Sequence, residues 1–231
     1  MILFNACSWT YGDELENNVE EGYPNLVAQK LGLPFVNLAR NGASNDYIYH
    51  TSLEYLLNNK VDLAIIQWTF PTRFGIYRDS MWENFIPHSF LKLKFNYRVR
   101  DKERRLTIEE RNEEDDFSSS FLKMYSNMLG IYTYCFYKNI PLITFNNTFK
   151  HIKLENELFT EHNSYPKILS KTVDSFCEIN FNEYIIQHLS GPRKNRWNKF
   201  GHPTKLAHQV WSSYIYNKAI EKYGNTLHQY V

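Results

Sequence analysis

The chain is expected to fold as an α/β protein, a three-layer α/β/α sandwich around a mostly parallel central sheet. Two observations predict this. Short apolar runs suited to strands alternate with longer stretches of helical spacing along the first 68 residues, and the pattern resumes after residue 117. The stretches between runs are long enough for right-handed crossovers, which set successive strands parallel. A third observation bounds the size: 231 residues, 43% of them hydrophobic, suit one folded domain with a sizeable core.

In order, residues 2–7 (ILFNAC) form a short apolar run. Leu26, Val27 and Leu31 give residues 23–31 a helical face, and Gly32 stops it. Residues 34–39 read as the second strand. Ser44 can cap a helix whose apolar face carries Ile48, Leu53, Leu56 and Leu57. Residues 61–68 (VDLAIIQW) are the most strand-like run. A helix at 117–137, a strand at 141–145 and a closing helix at 204–223 follow, the last burying Leu206, Val210, Tyr214, Ile215 and Ile220. Between the halves, residues 78–116 break the rhythm with mixed charge runs and with Trp82, Phe85, Phe90, Phe95 and Tyr97. This reads as an insertion in a single domain spanning 1–231, a solvated segment able to cover a site edge or mediate oligomer contact. Residues 150–180 show no clear period.

Composition narrows the function classes. The formal net charge of +1 gives no global signal for nucleic acid, and the basic stretch at 192–197 reads as a solvated loop. Aromatic content of 16% follows a bias towards residues with A/T-rich codons. Three cysteines, at 7, 135 and 177, have no paired spacing, so neither a disulfide framework nor a zinc site is expected. No metal-ligand spacing, Walker pattern or dinucleotide fingerprint occurs, and no cofactor is expected. Met1 leads straight into a strand with no signal peptide, and no apolar run has membrane-spanning length, which predicts a cytoplasmic protein without a membrane partner.

Ser8 follows the first strand, where open parallel sheets place their ligands, and His202 lies near the far end in Gly201-His202-Pro203-Thr204. A hydroxyl and an imidazole from opposite ends suggest a nucleophile and base assembled by the fold. Each has a plainer reading: Ser8 in a hydroxyl-capped turn, His202 at a helix start beside a proline suited to that place. Asp13 reads as a turn residue, and His208 as packing or surface. Trp9, Trp68 and Arg73 are candidate substrate contacts.

These segments resemble the SGNH (GDSL-type) esterases and acylhydrolases, a flavodoxin-like fold. Ala6-Cys7-Ser8-Trp9-Thr10-Tyr11-Gly12 is similar to the family's first block, although Ala6 and Cys7 stand where Gly and an acidic residue are usual. The resemblance makes Ser8 the nucleophile, its amide an oxyanion donor and Gly42, in Ala39-Arg40-Asn41-Gly42-Ala43, a second donor. The third block's Asn is missing from Gln67-Trp68-Thr69-Phe70, which leaves Gln67 or Thr69 to donate. His202-Pro203 matches the last block, but Lys199 occupies the place of the acid three residues earlier. The orienter of His202 is then Asn198 or a backbone carbonyl, or the site is weak, and Lys199→Asp is expected to raise the rate. The resemblance implies a serine-dependent hydrolase of O-acyl or acetyl esters, carbohydrate esters included, with acyl transfer a close variant. The alternative is an inactive binding or structural protein of the same fold, in a virion if the source is a phage.

Overall fold

A computed structural model describes residues 1–71, 73–78, 81–87, 97–99, 105–106, 117–146 and 179–227. Residues 150–178, Phe90, Phe95 and most of the charged run at 98–116 lie outside the described residues.

The chain opens with strand β1 (Ile2–Asn5), a four-residue helix α1 (Ser8–Tyr11), α2 (Asn18–Glu21) and α3 (Tyr23–Leu31). Then come β2 (Phe35–Asn37), α4 (Asn45–Asn58) and β3 (Leu63–Trp68). Strands β4 (Phe74–Arg78), β5 (Met81–Pro87), β6 (Tyr97–Val99) and β7 (Arg105–Leu106) follow. The chain returns to α/β order with α5 (Phe117–Tyr137), β8 (Leu142–Asn146), α6 (Phe181–His188) and α7 (Lys205–Leu227).

The central sheet has the order β2-β1-β3-β8, and every pairing is parallel. Strand residues alternate between two cores, as the two-residue period of a strand requires. Ile2, Phe4, Leu63, Ile65, Ile143 and Phe145 face α3, α6 and α7, where Tyr23, Phe181, Trp211 and Ile215 complete the packing. Leu3, Ala64, Ile66, Trp68 and Leu142 face α4 and α5, against Ile48, Leu56, Met128 and Ile131. Burial on both faces explains why these strands read as continuous apolar runs.

The helix stops and starts are local. Gly32 caps α3 in the left-handed region, and Ser44 Oγ accepts the Tyr47 amide at 3.2 Å to start α4. Two expected core residues face solvent instead: Leu57 is 61% exposed and Leu206 45%. The buried stripe of α7 runs through Ala207, Trp211, Ile215 and Ala219, with Val210, Tyr214 and Ile220 partly buried beside it, and the Thr204 hydroxyl accepts the Ala207 amide at 3.2 Å at the helix start.

The second sheet is antiparallel, in the order β4-β5-β6-β7, and begins soon after β3. Its first hairpin is fastened to the start of α4. Asn84 Oδ1 accepts the Ser44 amide at 3.0 Å, and Asp46 Oδ2 accepts the Gly75 amide at 2.9 Å. Trp82 packs on Tyr47 and His50, with centroids at 6.1 and 5.3 Å. A Cβ on Gly75 would stand 2.5 Å from Ser44 Oγ and 3.1 Å from the Trp82 ring. Gly75→Ala is therefore expected to cost about 1–3 kcal/mol in chemical denaturation, and an unchanged midpoint would show that the hairpin shifts freely.

Candidate active site

The sheet presents its carboxyl edge to three loops, those after β1, after β2 and before α7. β1 ends at Asn5, sooner than the apolar run suggested, and Ser8 opens α1. The helical turn is held from beneath. The Thr10 hydroxyl gives its only proton to Gln67 Oε1 on β3, so the Tyr23 hydroxyl, 2.8 Å away, donates to it. Asn37 Nδ2 on β2 donates to Thr10 O at 3.1 Å. Ser8 is thus carried on a turn tied to three elements, with 5% of its surface exposed.

After α1 the chain doubles back. Gly12 and Asp13 amides both donate to Ser8 O at 3.0 Å, and Glu14 takes a left-handed backbone at φ 68°. That conformation is costly for a residue with a Cβ. Here it aims the carboxylate at the loop before α7. Glu14 Oε2 contacts His202 Nδ1 at 2.7 Å and accepts the His202 amide at 3.2 Å, and the Phe200 amide donates to Oε1 at 3.0 Å. Burial pushes the Glu14 carboxyl up, but the Phe200 amide, the His202 ring and the His202 amide outweigh it and hold it below the usual carboxylate range. An ionised, acceptor-only partner requires a proton on Nδ1. Nε2 then faces Asp13 Oδ2 at 3.4 Å, and the same oxygen accepts from Asn41 Nδ2.

The His202 loop is closed on itself. Asn198 N donates to His202 O at 2.8 Å, Gly201 N to Asn198 O at 3.1 Å, and Thr204 N to Arg196 O at 3.0 Å. Asn198 Nδ2 reaches Pro203 O at 3.2 Å, so this side chain braces the loop and does not orient the imidazole. Lys199 is exposed, its Nζ 5.3 Å from the centre of the Phe200 ring. The carboxylate at His202 Nδ1 comes from Glu14 and not from position 199, so Lys199→Asp is not expected to raise the rate.

Other sequence candidates separate clearly. Gly42, at φ 75°, sits in the loop after β2, a backbone that Gly adopts without the Cβ penalty. Gln67 is fully buried, its Oε1 engaged by Thr10 and its Nε2 turned to Cys7 Sγ at 3.8 Å, so it supports the Ser8 turn from below instead of donating above it. Thr69 is also fully buried. Its amide is held by Asn45 Oδ1 at 2.9 Å, while its hydroxyl has no partner among the described residues. Trp68 is wholly buried in the α4–α5 core and cannot touch a substrate, because the inward face of β3 carries it. Trp9 packs on Trp197 and Phe181, with centroids at 5.1 and 5.5 Å. Arg73 Nη1 lies 3.5 Å from Ala43 O, and its guanidinium lies over Phe70. Cys7 and Cys135 are buried and form no disulfide, and no helix among the described residues is long and apolar enough to cross a membrane. No group of three or more potential metal ligands is assembled among the described residues.

Sequence reasoning placed Ser8, Gly42 and His202 on loops at the carboxyl edge and missed Glu14, whose only signal was an acidic pair shortly after Ser8.

No family model matches the chain, and no curated protein does. Solved structures do. The psychrotrophic esterase EstA from Pseudoalteromonas sp., in a structure inhibited by monoethylphosphonate, aligns at 14% identity with a TM-score of 0.54, over 97% of this chain and 98% of that one. The acetyl xylan esterase Est2A from Butyrivibrio proteoclasticus aligns at 10% identity and TM-score 0.53, over 96% of this chain and 64% of that one. Axe2, an acetylxylan esterase from Geobacillus stearothermophilus, aligns at 10% identity and TM-score 0.50, over 94% and 92%. With a parallel β2-β1-β3-β8 sheet between two helical layers, the chain shares the α/β fold of these esterases.

Proposed function

We propose that the chain is a serine ester hydrolase in which Ser8 is the nucleophile, His202 the base and Glu14 the orienting acid. The observation that carries this reading is the 2.7 Å contact between Glu14 and His202 Nδ1, made 188 residues apart in sequence. A buried-edge imidazole with its tautomer set by an ionised carboxylate is what acyl transfer through a serine requires. Esterases of the same fold, including one inhibited by a phosphonate, support it.

The chemistry is that of two acyl transfers. Ser8 Oγ attacks the ester carbonyl carbon while His202 Nε2 takes the hydroxyl proton. The carbonyl oxygen becomes an oxyanion facing the Ser8 and Gly42 amides, with the Thr69 hydroxyl a third candidate donor. Collapse breaks the bond to the alcohol oxygen, which leaves with the proton from Nε2. Water then repeats the sequence on the acyl-enzyme, Nε2 taking one of its protons and returning it to Ser8 Oγ. No hydrogen bond joins Ser8 Oγ to His202 in the structure; such catalytic contacts often tighten only in the reacting complex. O-acetyl esters, including those of carbohydrates, are the substrate class, and another alcohol in place of water would turn hydrolysis into transfer.

A fluorophosphonate probe is expected to label the purified protein at Ser8, with Ser8→Ala unlabelled and His202→Ala labelled at least a hundredfold more slowly, both variants melting as the parent does. Labelling of Ser8→Ala equal to that of the parent would overturn the assignment.

A further inference from the structure

The basic stretch before His202 reads as a solvated loop in sequence, and the fold carries it to the rim of the candidate active site. Between Glu183 and Glu221 the chain has no acidic residue, while Arg193, Lys194, Arg196 and Lys199 crowd into residues 193–199. Backbone bonds fold this stretch against the segment that bears the imidazole. Thr204 N donates to Arg196 O at 3.0 Å, Trp197 bridges Pro203, and Asn198 N donates to His202 O at 2.8 Å, which leaves residues 199–201 as the tip. Two cations gather there. Lys199 Nζ lies 5.3 Å from the centre of the Phe200 ring, and a Cβ on Gly201 would stand 3.9 Å from Arg193 Nη2. Arg193 and Lys199 are both exposed, and among the described residues neither forms an ion pair, whereas Lys205 nearby pairs with Glu21 at 2.9 Å. Phe200 is 75% exposed, although both Glu14 oxygens hold its amide, at 3.0 and 3.2 Å. Its ring therefore stands on a fixed backbone, two residues before the candidate base. Unpaired surface cations are common. Two that flank an open aromatic ring beside a base are placed to meet what the base acts on.

We infer that this rim is a subsite for the alcohol part of the ester, and that it takes a sugar bearing an anionic group, a carboxylate or a phosphate. The inference rests on the serine-esterase reading. The base returns its proton to the leaving oxygen, so the alcohol lies along the loop that carries His202, while the carbonyl oxygen turns to the Ser8 and Gly42 amides. The Arg193 guanidinium presents a fork of N–H donors that suits either anion, and Lys199 adds a point charge. Phe200 offers the carbon face of the same sugar an apolar surface. The carboxylates of Glu14 and Asp13 stand at the His202 ring itself, at 2.7 and 3.4 Å, so an anion is favoured at the tip and disfavoured at the reacting bond. That difference orients the ester.

The test measures acetate release from three 2-O-acetyl methyl hexosides: the glucuronoside, its neutral 6-carboxamide and the glucoside 6-phosphate. The parent protein is expected to favour at least one anionic acetate over the carboxamide by about tenfold in kcat/KM at low salt, the scale of one hydrogen bond to a charged group. The preferred anion identifies the ligand as carboxylate or phosphate. In about 0.5 M sodium chloride the preference should fall at least threefold, because exposed charges are then screened within a few ångströms. In Arg193→Gln with Lys199→Gln the ratio is expected to fall to about one, and each single variant should lose part of it. Arg193→Lys with Lys199→Arg keeps both charges and should keep most of the preference. Lys138→Gln, after α5 at the opposite edge of the sheet, removes a cation and should leave the ratio unchanged. Melting curves check that each variant folds, and the salt dependence of the parent needs no variant at all. A parent ratio of about one at low salt, or a preference that survives in the double glutamine variant, overturns the subsite while turnover of the carboxamide leaves the esterase reading intact. Labelling of Ser8 by the phosphonate probe without turnover of any of the three acetates also overturns the subsite alone. Neither turnover nor labelling overturns the esterase reading and this inference with it.

Discussion

Glu14→Gln is expected to lower kcat by about 10³- to 10⁴-fold with KM little changed, the scale seen when a triad acid becomes its amide. The side chain keeps its shape, but an amide nitrogen can now face Nδ1 and select the other tautomer. Nε2 would then carry the proton and could not receive that of Ser8. Glu14→Ala should do similar damage and lower thermal stability too, because the Phe200 and His202 amides both lose their acceptor. Adding Lys199→Asp should not rescue either variant, since position 199 points to solvent. Steady-state kinetics on a short-chain aryl ester, with melting curves as control, check this. More than a tenth of the parent rate in Glu14→Gln would mean that another group sets the tautomer.

The second large effect concerns stability in acid. His208 on α7 is wholly buried, stacked on Tyr23 with centroids 5.9 Å apart, and its Nδ1 accepts the Tyr23 amide at 3.1 Å. Burial pushes its pKa down to about 3; the charge of Glu21 opposes this and that of His202 adds to it. The unfolded chain takes up a proton near the ordinary value of 6.5 while the folded chain does not. The stability held by the neutral ring is therefore complete above pH 6.5 and is lost as pH falls from there towards about 3. The slope is about 1.4 kcal/mol per pH unit, or about 2 kcal/mol between pH 6.5 and 5, before most carboxylates titrate. His208→Phe fills the same space but leaves the Tyr23 amide without its acceptor. It should cost about 1–3 kcal/mol at neutral pH and flatten the loss between pH 6.5 and 5. Urea melts at pH 7, 6 and 5 compare the two, and equal slopes would show that His208 is protonated in the folded state.

Much of the architecture was legible because it is written in local periods. The helices α3 and α5 match their expected spans residue for residue, and the cap of α4 at Ser44 is a side-chain bond made within three residues. Strand β3 lacks alternation in sequence because both its faces are buried. Of the second sheet, only the break in rhythm was visible. Its pairing to the start of α4 depends on Asn84 and Gly75 meeting residues some thirty to forty places earlier. The exposed Leu57 and Leu206 mark the limit of periodicity, since a hydrophobic stripe is wider than the part of it that a neighbouring element covers.

Ser8 and His202 were legible as candidates, because a hydroxyl at the end of the first strand of a parallel sheet lies on its ligand-binding edge wherever the rest of the chain goes. What joins them was not. Glu14 meets His202 across 188 residues because the loop after β1 and the loop before α7 share that edge, and because a left-handed backbone at Glu14 turns its carboxylate there. No spacing rule encodes either fact. The same holds for Gln67, which looked like a donor at a strand end and lies beneath the Ser8 turn: the strand's two-residue period settles that a side chain faces one layer or the other, but which layer depends on the neighbours it meets when the sheet is covered.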